Sequence, residues 1–391
     1  MQPYPDRWPN LASLLMVSMM GAAVLTLLPL WVGGLSDQGN FTESQVGWLA
    51  AADVIGIFAS SASALFWVRQ LPWRPVTLAG LALFLGGNLL SLDTDSFTLL
   101  MLFRILAGLG CGAAYAVALA GLGDHRRPPL AFGLMVTAQV TFGTLGFFAV
   151  PRIMELWQVN GFFHYLNGWL VATLVACTLA FPVSGRESRA AGPAILTLLH
   201  RRSLLVFATT VVYYCGVSAV WAYLERIGVD MGLDGARVGD LLGIGFALSG
   251  LGSLATPLAS RALGRPAALV NTFAVQVATL ALLMGQADVN AFLLYAATSI
   301  VFQFFWSFTI PLLMDQFNRV DDTGRFIVLC ASAFKVGEIL GPPLAASAIQ
   351  PWGYAGVLWL GIGCMVLALA MALVTEGWQP STQAAPVPGT P

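Results

Sequence analysis

The sequence predicts an all-α polytopic membrane protein, with about twelve transmembrane helices forming two six-helix bundles related by a pseudo-two-fold axis. Three observations carry that expectation. Hydrophobic residues fill 58% of the 391 positions and charged residues only 9%, whereas a soluble domain carries about 25% charged residues. Apolar runs of about 20 residues, enough to cross roughly 30 Å of hydrocarbon, recur along the whole chain. The arginines fall almost entirely between those runs.

The first run, 11–35, follows the proline-rich start MQPYPDRWPN, which lacks the basic segment and cleavage site of a signal peptide. Its length suits a retained span. Runs at 44–68, 75–91, 97–121, 129–151 and 163–183 complete a first set of six. A connection at 184–202, carrying Ser, Gly and Arg, separates them from runs at 203–224, 238–260, 266–284, 290–314, 324–349 and 352–375. The expected organisation is a bundle at 1–183, a central loop at 184–202, a second bundle at 203–378 and a disordered Pro/Ala-rich tail at 379–391. Pro29, Pro151, Pro257, Pro311 and the Pro342–Pro343 pair lie inside runs. Such prolines suit kinked spans, because packed neighbours satisfy the backbone groups they free.

Basic residues orient the spans. With a cytoplasmic N-terminus, the inner segments hold Arg7, Arg69, Arg74, Arg126, Arg127, Arg186, Arg189, Arg201, Arg202, Arg261, Arg265, Arg319 and Arg325. The outer loops hold only Arg152, Arg226 and Arg237. That asymmetry predicts both termini on the cytoplasmic side of an inner or plasma membrane. The halves also echo each other. Val46–Gly47 precedes Arg69 by the interval that separates Val238–Gly239 from Arg261, and Arg74–Pro75 and Arg265–Pro266 follow in turn. Two related six-helix halves form a recurring transporter plan, with a solute site near the midplane between them.

A net charge of −1 offers no electrostatic basis for nucleic-acid binding. Five scattered cysteines within apolar runs give neither a disulfide framework nor metal-ligand spacing. No nucleotide-binding loop and no nucleophile–base grouping occurs, so no enzyme, cofactor or metal site is expected.

Charges inside the spans are the informative residues, since burying them is costly. Asp53 lies in the second span roughly 13 Å from its outer end by helical rise, and Arg104 lies at similar depth in the fourth. They read either as a structural ion pair or as a proton acceptor and its partner. Lys335, the only lysine, and Glu338 lie i,i+3 on one helix face. They read either as a locally neutralised pair or as members of a larger network.

The fourth span begins Arg104-Ile-Leu-Ala-Gly108-Leu-Gly110-Cys-Gly112. An arginine followed by spaced glycines, together with twelve spans and two similar halves, resembles the major facilitator superfamily over nearly the whole chain. The loop after the second span, Phe66-Trp-Val-Arg69-Gln-Leu-Pro-Trp-Arg74, keeps that family's basic residues but not its aspartate and glycines. A Gly-Pro signature of the family's drug:proton antiporters is absent from the fifth span. It occurs in the eleventh, Gly341–Pro342.

The resemblance implies that spans 2 and 11 face each other, so that Asp53, Arg104, Lys335 and Glu338 would form one exchangeable charge network. It also implies a central cavity lined by spans 7 and 10, with Tyr213, Tyr214, Gln303 and Trp306 as candidates. Gln139 joins them because a buried amide needs a partner and can orient a solute. The expected function is secondary transport of a small amphipathic organic solute, by proton-coupled efflux, in a monomer embedded in the lipid bilayer. Two alternatives stand beside it. One is proton-coupled uptake of an organic anion, with Lys335 or Arg104 neutralising the substrate. The other is a lipid-handling or sensor protein on the same fold.

Overall fold

The computed structural model describes residues 7–92, 94–183, 200–285, 290–320 and 328–377. These form twelve helices and, among the described residues, no strand: α1 (Trp8–Thr26), α2 (Leu28–Gln38), α3 (Glu43–Trp67), α4 (Trp73–Ser91), α5 (Phe97–Gly123), α6 (Pro128–Trp157), α7 (Asn160–Leu179), α8 (Arg201–Asp230), α9 (Gly235–Leu263), α10 (Arg265–Met284), α11 (Ala291–Val320) and α12 (Val328–Gly377). Ten of them are long and apolar enough to cross a membrane. The central loop at 184–199, Asp321, Asp322 and the tail from 378 lie outside the described residues.

Helices and spans do not correspond one to one. The first predicted span is α1 plus α2, broken at Leu27 (φ −97°, ψ 15°). The cause is Pro29, in the first turn of α2, which has no backbone N–H for the preceding turn. The last two predicted spans are both within α12, which carries Pro351 and then Gly353 at φ 57° and ψ −157°. Only glycine tolerates that conformation readily. Gly356 beyond it packs directly on the Ala348 backbone, so the two segments double back as a hairpin. Twelve crossings result, with α1 starting and α12 ending on the same face. That face gathers Arg7, Arg69, Arg74, Arg126, Arg127, Arg201, Arg202, Arg261, Arg265 and Arg319 at helix ends, and it is called the arginine-rich face below.

Packing divides the helices into halves. In the first, α5 packs on α3 and α4, and α1 packs on α5, α6 and α7. In the second, α12 packs on α8 and α10, and α9 packs on α11. The halves meet where α3 meets α12, α6 meets α9 and α2 meets α8. Two of these seams use the glycines singled out by the repeat. Gly47 of α3 lies against Pro342, Pro343 and Ala346 of α12, and Gly239 of α9 lies against Phe147 and Pro151 of α6. The internal repeat is thus a pair of equivalent contacts, both near the face opposite the arginines.

Among the described residues, the arginine-rich face carries an ion-pair cluster in each half. Arg69, after α3, holds Asp124, after α5, through two hydrogen bonds of 2.6 and 3.2 Å. Asp124 therefore supplies the carboxylate that the loop after the second span lacks. In the second half Arg265 pairs with Asp315 and with Glu376, the latter at 3.1 Å.

Candidate functional site

One face of α8 sets up the site. Tyr214, Ser218, Trp221 and Glu225 follow one another at helical spacing, so they form a single stripe. The first three line a central cavity of about 320 Å³ between the halves. Leu25 and Thr26 at the α1–α2 break, Gln139 of α6, Phe246 of α9, Trp306 of α11, and Lys335 and Glu338 of α12 complete its walls. Trp221 and Trp306 lie nearly parallel, with centroids 6.2 Å apart. The indole N–H of Trp221 donates to the Leu25 carbonyl across the interface at 3.0 Å. From the tryptophans the cavity runs toward the arginine-rich face, where Val136, Ser253 and Ile310 line it.

On the other side the passage is closed. Phe147 of the first half meets Trp221 of the second edge-on at 5.8 Å. Beyond these rings, Arg226 of α8 binds Asp37 of α2 at 2.5 Å and its own neighbour Glu225 at 2.6 Å. Arg152 of α6 binds Asp240 of α9 at 2.8 Å. A separate vestibule of about 580 Å³, lined by Asp37, Glu155, Glu225 and Asp234 among others, opens on that face. The state described is therefore closed opposite the arginines.

The four charges expected to share one network form two pairs instead. Arg104 grips Asp53 bidentately, Nε to Oδ2 at 2.9 Å and Nη2 to Oδ1 at 2.5 Å. Its remaining Nη1 donates to Asn88 at 2.7 Å, Asn88 donates to Asn167, and the guanidinium lies 5.0 Å from the Phe163 ring centre. Both charged side chains are sealed, with exposures of 0% and 1%. Lys335 donates to Glu338 at 2.6 Å on the cavity wall. Among the described residues, no hydrogen bond or ion pair joins one pair to the other. The physical reason is a change of facing. Helix α3 reaches α12 through Gly47, while Asp53 turns inward onto α5, where Gly108 packs on its backbone. The Cys111 thiol on α5 donates to the Met20 and Gly21 carbonyls of α1.

Two of the five cavity candidates also lie elsewhere. Consecutive helical residues point about 100° apart, so Tyr213 and Tyr214 do not share a wall. Tyr214 lines the cavity and stacks on Phe334. Tyr213 is buried in the second half and donates to Gln276 at 3.0 Å. Gln303 has the same relation to the cavity-lining Phe302. It is fully buried against Gly245 and donates to the Ser299 carbonyl. Gln139, on the wall, donates to the Ser18 carbonyl at 3.1 Å. Asn88, Asn167 and Phe246 were not singled out by the sequence. The asparagines interrupt apolar runs, and that interruption is the available signal. Among the described residues, no group of three His, Cys, Asp or Glu side chains converges as a metal site.

A family model described as the Major Facilitator Superfamily matches residues 11–320. Among solved structures, a crystal structure of a mutant nucleoside transporter, NupG, matches with a TM-score of 0.77 at 12% identity. That match covers 94% of this chain and 99% of the other. At such identity the likeness is one of fold.

Proposed function

The chain belongs to the major facilitator superfamily as a multi-pass secondary transporter, and from that premise we propose that it exports a small amphipathic organic solute in exchange for protons. The observation that carries this reading is the composition of the central cavity. Its walls are apolar and aromatic, with one ion pair and a few hydroxyl and amide groups. Such lining suits an organic solute with a ring and a small polar part. Alternating access follows from a cavity between two halves that touch near one face.

Glu338 is the carboxylate assigned to proton coupling, because it reaches the cavity whereas Asp53 does not. Protonating Glu338 would remove the charge that holds Lys335 and so alter the cavity wall. The arginine distribution supports termini on the cytoplasmic side of an inner or plasma membrane. Export is favoured because the cavity runs toward that side.

The test is transport into proteoliposomes of radiolabelled tryptophan, indole and benzoate, under a pH gradient of either polarity. Gradient-driven movement of at least one probe is expected, and Glu338→Gln should abolish its dependence on the pH gradient. Equal gradient dependence in wild type and variant would refute Glu338 as the coupling group. Trp306→Ala is expected to weaken solute affinity about five- to thirty-fold, the equivalent of about 1–2 kcal/mol for a lost ring contact. Equilibrium binding of the transported probe checks this.

A further inference from the structure

The two ion pairs within the bundle differ in a way that bears on the ligand. The Asp53–Arg104 pair is held by two bonds between the partners, a third from Arg104 to Asn88, and a ring over the guanidinium. It is dry and closed. The Lys335–Glu338 pair is held by one hydrogen bond, from Nζ to Oε2. An ammonium has three donors and a carboxylate about four acceptor sites. Among the described residues, nothing else bonds either head group. Both side chains keep part of their surface free, 21% and 18%, and both stand on the cavity wall. Among the described residues they are also the only ionised side chains lining it.

Resting on the transport reading of this cavity, we infer that its ligand is an aromatic zwitterion, with its anionic group on Lys335 and its cationic group on Glu338. Charge balance selects that class. With Glu338 ionised, a solute bearing only a carboxylate would take Lys335 and leave Glu338 without a partner in apolar surroundings. A solute bearing only an ammonium would strand Lys335 in the same way. Breaking one side of a partly buried pair is unfavourable. An uncharged apolar solute leaves the pair shut and gains no charge-assisted bond. A zwitterion fills the spare valences on both head groups while the cavity stays neutral.

Geometry narrows the class further. Lys335 and Glu338 are one helical turn apart and in contact, so the two charged groups of the ligand must sit close together, as on the single α-carbon of an amino acid. The Trp221–Trp306 surface and Phe246 receive the ring, and a cavity of about 320 Å³ suits one indole- or phenyl-sized body.

The experiment is equilibrium binding to the purified full-length chain, without any gradient, of four probes that share one ring. These are tryptophan, indole-3-propionate (no ammonium), tryptamine (no carboxylate) and 3-ethylindole (neither charge). Tryptophan is expected to bind about tenfold or more tighter than each of the others. Glu338→Gln should move the preference to indole-3-propionate, and Lys335→Met should move it to tryptamine. The double variant should bind all four with similar affinity, which also reports that the fold persists. The inference is overturned if a singly charged or uncharged probe binds wild type as tightly as tryptophan, if no probe binds, or if each single variant weakens all probes equally. Charge-selective binding without proton-driven transport would instead overturn the coupled-export reading and leave the zwitterion site standing.

Discussion

Asp53→Ala and Arg104→Ala are each expected to lower stability by about 3–5 kcal/mol, and the double variant by much less than the sum of the two. The single losses are large because each strands a charge that the fold has fully sealed. Removing Asp53 leaves a guanidinium with, among the described residues, only Asn88 and an aromatic ring. Removing Arg104 leaves a carboxylate with no other side-chain partner among the described residues. Taking both away removes the desolvated charges together, and the cost falls toward that of a cavity. Denaturant or thermal unfolding in micelles gives the double-mutant cycle. Two additive, small effects would show that the pair contributes little to stability. Asp53→Asn adds a functional arm. If Asp53 were the coupling carboxylate, the folded variant would lose gradient-driven transport, whereas the present assignment places that loss on Glu338.

The same pair shows what is legible in a membrane sequence. Charges are rare inside apolar runs, and depth follows from residue count, so Asp53 and Arg104 can be matched across two spans by counting alone. What cannot be counted is azimuth. Asp53 turns toward α5 rather than α12 because Gly108 lets α3 and α5 approach closely there. A rotation of one residue about the helix axis separates the expected network from two independent pairs. Tyr213 and Gln303 miss the cavity for the same reason, each lying next to a residue that lines it. Spacing along one helix is more dependable. Lys335 and Glu338 pair as an i,i+3 spacing on one helix face leads one to expect. The Arg69–Asp124 bond combines both situations. Its arginine stands in the expected loop, but its acid comes from a helix end more than fifty residues away, beyond any local pattern.

The second large effect concerns the seams between the halves. Gly47→Leu and Gly239→Leu are expected to push the equilibrium away from the state closed opposite the arginines. At Gly239 an added Cβ would stand 2.8 Å from the Phe147 carbonyl oxygen and 2.6 Å from Pro151 Cγ. At Gly47 it would stand 2.8 Å from the Pro342 carbonyl oxygen. Backbone oxygens and proline rings cannot rotate aside, so the overlap is relieved by separating the halves. Overpacking of this kind costs about 1–3 kcal/mol, which corresponds to about a five- to 150-fold change in the ratio of closed to open states. The Arg152–Asp240 pair on the same face is a weaker lever. Arg152 and Asp240 are 51% and 34% exposed, so solvent screens their attraction, and Arg152→Ala should shift the ratio less than either glycine variant. Spin labels at Gln38 and Ala236, which line the opposite vestibule from different halves, report the distance directly in a cysteine-free background. Longer distances in both glycine variants, a smaller change in Arg152→Ala and lost transport are expected. Unchanged distances with lowered thermal stability would mean that the glycines serve static packing and do not set the balance between states. The equivalence of the two sites sharpens the comparison. Each repeats the same contact in the other half, so a wedge at either position should open the same face, and a wedge at both should add little once that face is already open.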